Sequence, residues 1–336
     1  MSAAAGASAF RFFPVRVARV ADLTPHLRRV TFIGEELGDF ADPGWDQRIK
    51  LVLPAADGGY AHLPTGTDWY GAWRALPAAR RPPIRTYTTR AVRAGEVLGV
   101  AGAGGAGTPP ARSEVRRAGT AGAEVDVDMV VHAPLGPAAQ WLEAARPGTS
   151  AVLLGPSRAW LSAQPDGTPP GGVDFVPPAI TGRFLIGGDE TAAPAIARIL
   201  EDLPKTARGI AVVELPTAAD AAYLPAHPGL EVRALARDGA AHGQPLAAGV
   251  RRAATELIPE GEPQEVEEID VDRELLWEVP RTARGGAALK RADVYAWLAG
   301  EASAVCNLRR HLVSERGLDR RAVAFMGYWR QGRAEG

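Results

Sequence analysis

The run Arg85-Thr86-Tyr87-Thr88-Thr89-Arg90 places a guanidinium, an aromatic ring and several hydroxyls side by side. Residues two apart in a strand share a face. As a strand, the run presents Arg85 and Tyr87 on one side and Thr86 and Thr88 on the other. Such a set suits a flavin nucleotide, which needs a cation for its phosphates, a flat ring against the isoalloxazine or ribityl chain, and a hydroxyl near the ring nitrogens. The same residues also make an ordinary strand with an exposed arginine and a packed tyrosine, and the pattern alone leaves both readings open.

A second segment runs from His132 through Pro134-Leu135-Gly136-Pro137-Ala138-Ala139-Gln140 to Trp141. A strand followed by Gly-Pro and a helix leaves free backbone N–H groups where phosphate can bind. Pro137 suits the first turn, where a missing donor costs nothing. A plain strand-to-helix turn with Trp141 in the core has the same signature. Two anchors, Arg85 and the Gly136-Pro137 turn, suit a pyrophosphate better than a single phosphate, which favours FAD over FMN.

Two further turns end a strand and open a helix. Gly187-Gly188-Asp189-Glu190-Thr191 is one, and Trp297-Leu298-Ala299-Gly300-Glu301 is the other. Neither carries the full G-x-G-x-x-G fingerprint. Both fall at the carboxyl edge of an expected parallel sheet, where ligands of α/β folds bind. Glu301 also reads as a carboxylate placed for the helix dipole, and Tyr328-Trp329-Arg330 as plain packing.

The elements that must position these residues change character along the chain. Val15–Val20, Arg29–Phe32, Ile49–Leu53, Ile84–Val92, Glu124–Val131 and Val152–Leu154 read as short strands, with one helix over Ala138–Ala145. This predicts a small antiparallel barrel. From Arg183 onward, strands (Arg183–Ile186, Gly209–Leu215, Leu230–Ala236, Val294–Leu298, Val323–Tyr328) alternate with helices (Thr191–Leu203, Ala302–Arg316), which predicts a parallel sheet with crossover helices. Ala101–Gly122 is rich in Gly, Ala and Pro without apolar periodicity and reads as a flexible insertion. Gly239–Leu289 is a second poorly patterned stretch.

With 336 residues the chain holds two domains of ordinary size, and its net charge of -1 offers no basic face for nucleic acid in the total. No stretch approaches the length of a membrane span, and the start lacks a basic-then-apolar leader. A single cysteine, Cys306, excludes an intrachain disulfide, a Cys-rich zinc site and an iron–sulfur cluster. A cytoplasmic setting is expected, and any redox work needs an organic cofactor or a metal held by ligands other than cysteine.

Taken in order, the Arg85–Arg90 strand with Pro82-Pro83 before it, the His132–Trp141 run, Gly188–Ile196, Trp297–Glu301 and Gly327–Gly332 resemble the siderophore-interacting protein family, a branch of the ferredoxin reductase-like flavoenzymes. The resemblance runs from about Phe12 to Gly332. It implies an antiparallel β-barrel FAD-binding domain over 12–158, with the insertion at about 101–123, and an α/β nicotinamide-binding domain over 180–332, with the insertion at about 239–289. It implies FAD contacts at Arg85, Thr86, Tyr87, Thr88, Arg90, His132, Gly136, Pro137 and Ala138. NADH or NADPH would meet Asp189, Glu190, Thr191, Trp297, Gly300 and Glu301, and a ferric siderophore would meet Lys50, Gln140, Trp329 and Arg330. No protein nucleophile is implied. Gln140 stands where the family often carries arginine, which disfavours a highly charged tris-catecholate, and Ala133 stands where glycine is usual. The implied activity is reduction of Fe(III)-siderophore by the nicotinamide cofactor through the flavin, because hard oxygen ligands hold Fe(III) far better than Fe(II). A general NAD(P)H:flavin or quinone reductase and a non-enzymatic siderophore-binding module are the other readings.

Overall fold

The computed structural model describes residues 8–93, 122–131, 136–164, 170–259, 276–282 and 285–332. Most of the first expected insertion and the middle of the second lie outside them.

Alternation of apolar and polar residues builds the first sheet. β1 (Phe10–Thr24) pairs with β2 (Leu27–Ile33) and β7 (Ser150–Pro156), β2 with β6 (Glu124–Val130), β7 with β3 (Arg48–Val52), and β3 with β4 (Ile84–Thr88), all antiparallel. The seven-stranded order is β4-β3-β7-β1-β2-β6-β5. Phe13, Val15, Val17, Phe32, Ile49, Leu51, Val127 and Leu153 fill its interior. Each fully buried aliphatic or aromatic side chain there contributes about 1.5–3 kcal/mol relative to exposure.

The stretch expected as one strand, Ile84–Val92, is two. β4 stops at Thr88, and β5 (Ala91–Arg93) pairs with β6 instead. The break carries the chain from one edge of the sheet to the other, and the Arg90 N–H donating to the Asp126 carbonyl ties the edges together. The sheet closes into a barrel at that point, as an unbroken strand cannot.

The second sheet has the order β10-β9-β8-β12-β13-β11. β8 (Ile180–Gly188), β9 (Gly209–Leu215), β10 (Leu230–Ala236), β12 (Arg291–Glu301) and β13 (Val323–Trp329) are parallel, and β11 (Trp277–Glu278) adds an antiparallel edge. Numbering the five parallel strands in chain order gives the doubly wound order 3-2-1-4-5, whose switch point lies between β8 and β12. Along β12, Tyr295, Trp297 and Ala299 face one apolar layer, and Val294, Ala296 and Leu298 the other.

Gly239–Leu289 is not without structure. It holds a helix, α5 (Gln244–Leu257), and strand β11. The helix buries Leu246, Val250, Ala253, Ala254 and Leu257, one stripe at helical spacing. A Cβ on Gly249 would stand 2.5 Å from Leu235 and 2.7 Å from Val212, so a glycine inside the helix lets it lie close on β9 and β10. The other helices used below are α2 (Pro137–Ala144), α4 (Ala193–Asp202) and α6 (Ala302–Arg309), with α1 (Trp69–Ala75) and α3 (Arg158–Ser162) beside the barrel.

The two sheets are joined by ion pairs and buried hydrogen bonds. Asp46 is fully buried and accepts from the N–H groups of Asp174 and Phe175 and from Trp297 Nε1. Burial, with Asp174 nearby, pushes its carboxyl up to about 6. Asp220, after β9, accepts from Thr24 and His26 of the β1–β2 turn.

Candidate functional site

On the barrel, register decides which predicted residues meet. Ile49 pairs with Tyr87 and Leu51 with Arg85, whereas Lys50 pairs with Thr86. Tyr87 and Arg85 therefore share the face of the core residues Ile49 and Leu51, with Arg85 half-buried at its rim, where Nη1 donates to the Ile84 carbonyl at 2.8 Å. Lys50 lies on the opposite face, its Nζ 3.1 Å from Thr86 Oγ1. Thr88 is buried at the end of β4, and next to it Thr89 Oγ1 is a buried hydroxyl with no partner among the described residues.

Arg90 goes elsewhere. Its guanidinium makes a two-pronged pair with Glu201 of α4 at 2.5 and 2.7 Å, and Nε lies 3.5 Å from Asp128. It spans the two sheets.

Gly136 is the N-cap of α2; among the described residues no side chain caps it, and a Cβ built on Gly136 would meet nothing within 4 Å. Pro137 occupies the first turn and Gln140 is exposed. His132 lies outside the described residues. An uncapped helix start can take a phosphate, and the orphaned Thr89 hydroxyl is a second unfilled polar position. The chemistry of these barrel residues, a guanidinium and an uncapped helix start, fits the phosphates of FAD.

The second cluster sits at the switch point of the parallel sheet. Asp189, fully buried, accepts four hydrogen bonds: from Thr191 N at 2.9 Å and Thr191 Oγ1 at 2.5 Å on one oxygen, and from Glu301 N at 2.8 Å and Trp329 Nε1 at 2.9 Å on the other. Burial pushes its carboxyl above the ordinary range, and these donors oppose that. Glu190 is clamped by both terminal nitrogens of Arg237, which also bonds Glu214. Burial resists its charge, but His242 and Arg237 hold its carboxyl down to about 2. His242 packs edge-on against Trp329, with Nε2 3.4 Å from Glu190 and 3.8 Å from Asp189, and Nδ1 3.9 Å from Glu214. Burial lowers the pKa of His242, and Glu190 and Asp189 more than reverse that. Asp189, Glu190 and His242 have ligand atoms within 4.8 Å of one another. Four donors occupy the Asp189 carboxylate and Arg237 clamps Glu190, so the trio is part of an ion network.

The predicted Asp189, Glu190, Thr191, Gly300 and Glu301 therefore come together, and Trp329 joins them through Asp189. Arg330 lines an adjacent cleft of about 430 Å³ with His242, Gln244, Glu301, Ser303 and Asn307. Trp297 does not reach this edge; it is fully buried two residues earlier and bonds Asp46. Lys50 and Gln140 are on barrel elements, apart from the sheet that carries Trp329 and Arg330. The sequence reading missed Glu214, Arg237 and His242. The signal for the first two was position, since Glu214 is the penultimate residue of β9 and Arg237 follows β10, both at the carboxyl edge.

The helix starts at this edge are closed by acids, unlike the start of α2. Glu301 caps α6 through Ala304 N at 2.9 Å. Glu214 accepts from Gly243 N and Leu246 N at the start of α5. Asp189 takes Thr191 N with its side chain and Ala192 and Ala193 N with its carbonyl at the start of α4. This edge does not fit a dinucleotide pyrophosphate bound on helix N-termini.

Barrel and parallel sheet together define a ferredoxin reductase-like architecture. The ferredoxin reductase of carbazole 1,9a-dioxygenase shares that fold at 15% identity with a TM-score of 0.51, over 95% of this chain and 70% of that one. The chain belongs to the siderophore-interacting protein family: the family model "Siderophore-interacting protein" matches residues 181–332, and "Siderophore-interacting FAD-binding domain" matches 16–97 and 105–160. FAD is accordingly its cofactor, and a nicotinamide dinucleotide is the reductant typical of the fold. The uncharacterized protein Rv2895c of Mycobacterium tuberculosis is 31% identical over 93% of this chain and 88% of its own length. The ferric vibriobactin reductase ViuB of Vibrio cholerae is 26% identical over 93% and 87%. The crystal structure of a siderophore utilization protein from T. fusca superposes with a TM-score of 0.62 at 27% identity, covering 97% and 95% of the two chains. No helix among the described residues is long and apolar enough to cross a membrane.

One consequence separates the two arginines of the first motif. Arg85→Ala is expected to weaken FAD binding about ten- to a hundredfold, the value of one lost charge-assisted hydrogen bond. Arg90→Ala is expected to leave FAD affinity within about threefold and instead lower the unfolding midpoint, because its partners are Glu201 and Asp128. FAD titration and thermal melts of both variants check this; equal losses of FAD affinity would contradict it.

Proposed function

We propose that the chain is an FAD-dependent reductase that uses a nicotinamide reductant to convert Fe(III) held by a siderophore to Fe(II). The observation that carries the reading is the helix start at Gly136, uncapped among the described residues, on the same barrel as Arg85, within a family defined by FAD and siderophore. The 26% identity to ViuB, named as a ferric vibriobactin reductase, supports the same reaction class.

In this reading FAD, when bound, supplies the conversion between a two-electron donor and an acceptor that takes one electron at a time. The chain's own residues bind and orient. Arg85 and the N–H groups beginning α2 hold phosphate oxygens. Tyr87 offers a ring on the Arg85 face, and the Thr88 and Thr89 hydroxyls offer polar contacts at the end of β4. Lys50, half-buried on the outer side of β3, supplies positive charge for an anionic iron complex, while neutral Gln140 on α2 adds none. Complexes of low net charge, such as hydroxamates, are the preferred substrates. No protein group needs to act as nucleophile or general base.

The test measures anaerobic turnover of FAD-loaded protein with NADH or NADPH, trapping Fe(II) from a ferric tris-hydroxamate and a ferric tris-catecholate, with free FMN as the competing acceptor. Expected is FAD as the released cofactor and preferential reduction of the hydroxamate. Preference for free flavin would convert the assignment to a general flavin reductase. Tight ferric-siderophore binding without reduction would convert it to a binding module.

A further inference from the structure

The two anion-facing regions of the molecule are built oppositely. At the barrel, no side chain among the described residues caps the start of α2, and none lies within 4 Å of a Cβ built on Gly136. At the switch point of the parallel sheet, where a dinucleotide's pyrophosphate ordinarily sits on a helix N-terminus, carboxylates from the chain itself occupy the starts of α5 and α6 and the turn into α4. Nor is the turn into α4 rich in spare donors: Pro194 has no N–H, and Ala192 and Ala193 donate to the Asp189 carbonyl.

Charge points the same way. Asp189, Glu190, Glu214 and Glu301 cluster at this edge, each at most 6% exposed, and of the four Glu301 lines the adjoining cleft. Facing them among the described residues are Arg237, His242 and Arg330, of which Arg237 is committed to Glu190 and Glu214. Even with His242 protonated, acids outnumber bases, and a pyrophosphate would add two negative charges at short range in a partly desolvated site, where Coulomb repulsion is weakly screened. The adjoining cleft of about 430 Å³ is lined by Gln244, Ser303, Asn307 and Glu301, together with His242 and Arg330. Its volume is within the range of small-ligand pockets. Its amide, hydroxyl and carboxylate groups suit a flat ring bearing a carboxamide.

We infer that this crevice takes the nicotinamide ring of its reductant and gives its phosphates no binding site, so that a dihydronicotinamide without phosphate serves nearly as well as a dinucleotide. The inference rests on the reductase reading above and specifies how the reductant is recognised. Hydride donors are then selected by ring and carboxamide, and the 2′-phosphate that separates NADPH from NADH is ignored.

Stopped-flow reduction of the FAD-loaded protein tests it, with NADH, NADPH, reduced nicotinamide mononucleotide and 1-benzyl-1,4-dihydronicotinamide as donors. Each second-order rate constant is divided by that donor's rate with free FAD, which removes intrinsic reactivity. Calorimetric titration of the same protein with ADP-ribose, the dinucleotide without its nicotinamide, gives a readout independent of turnover. Expected are normalised constants in which the dinucleotides lead the benzyl donor by less than about a hundredfold, the value of one or two charge-assisted phosphate contacts, and no ADP-ribose binding at about 1 mM. A larger lead, or ADP-ribose binding at that concentration, overturns the inference and leaves the reductase reading standing. If none of the donors reduces a flavin that dithionite does reduce, the reductase reading falls and takes this inference with it.

Discussion

Replacing Gly300 with alanine is expected to destabilise the protein by several kcal/mol and to dismantle the crevice at the switch point. Gly300 has φ +146, a conformation that residues with a Cβ adopt only under strain. A Cβ there would stand 2.7 Å from Asp189 Oδ2 and 2.8 Å from its Cγ. The Asp189 carboxylate cannot retreat cheaply, because it is fully buried and four donors fix it. The backbone strain costs about 1–3 kcal/mol, and the overpacking adds about 1–3 kcal/mol. Gly239 is the matched control. It too has positive φ, +92, but a Cβ built there meets nothing within 4 Å, so Gly239→Ala carries the backbone cost alone. Urea unfolding of the two variants separates the contributions. The Gly300 variant is expected to lose at least about 1 kcal/mol more, with altered Trp329 fluorescence as its bond to Asp189 shifts. Equal losses would mean that Asp189 relaxes, and the rigid-crevice account would fail.

The contrast between Gly300 and Trp297 shows what a linear reading can and cannot see. Both belong to one motif ending a strand. The strand period places Trp297 in the apolar layer with Tyr295 and Ala299, and only after Ala299 does the chain reach the ligand edge. Alternation carried that information, but a motif read as a block hides it. The barrel strands and the parallel strands were legible because apolar residues alternate in the former and run together in the latter, with glycine or proline at their ends. Helix α5 was illegible for three reasons: two of its five buried positions are alanine, Gly249 interrupts the helix, and its start is capped by Glu214 from β9 rather than by a neighbour in sequence. The break between β4 and β5 serves barrel closure, a tertiary demand with no signature in the strand itself. Likewise Asp189, Glu190 and Glu301 announced themselves at strand-to-helix turns, whereas Arg237 and His242 gain meaning only once β10 lies beside β9 and β8.

Loss of the Glu214 carboxylate follows from the same tertiary logic and should be among the most damaging single changes in the second sheet. Glu214 is fully buried. One oxygen accepts from Gly243 N and from Arg237 at 2.9 Å each, and the other accepts from Leu246 N at 2.9 Å. Alanine at this position would uncover the start of α5 and strip Arg237 of one of its two acids in a site that water reaches poorly. Removing one partner of a buried ion pair costs about 3–5 kcal/mol. Because Arg237 retains Glu190, the expected loss is near the lower end, about 3 kcal/mol. Glu214→Gln should lose less, since the amide oxygen still accepts one of the helix N–H groups. The comparison that isolates burial is Glu231→Ala, which removes an exposed partner of Arg233 that Glu256 also holds, and surface pairs of this kind contribute little because solvent screens them. Denaturant unfolding should rank the three as Ala at 214, then Gln at 214, then Ala at 231. Amide exchange should show the protection of Gly243 and Leu246 lost first in the alanine variant. If Glu214→Ala proves no worse than Glu231→Ala, the carboxylate is not what holds α5 against the sheet. The acid-capped edge would then be a consequence of helix packing rather than its cause.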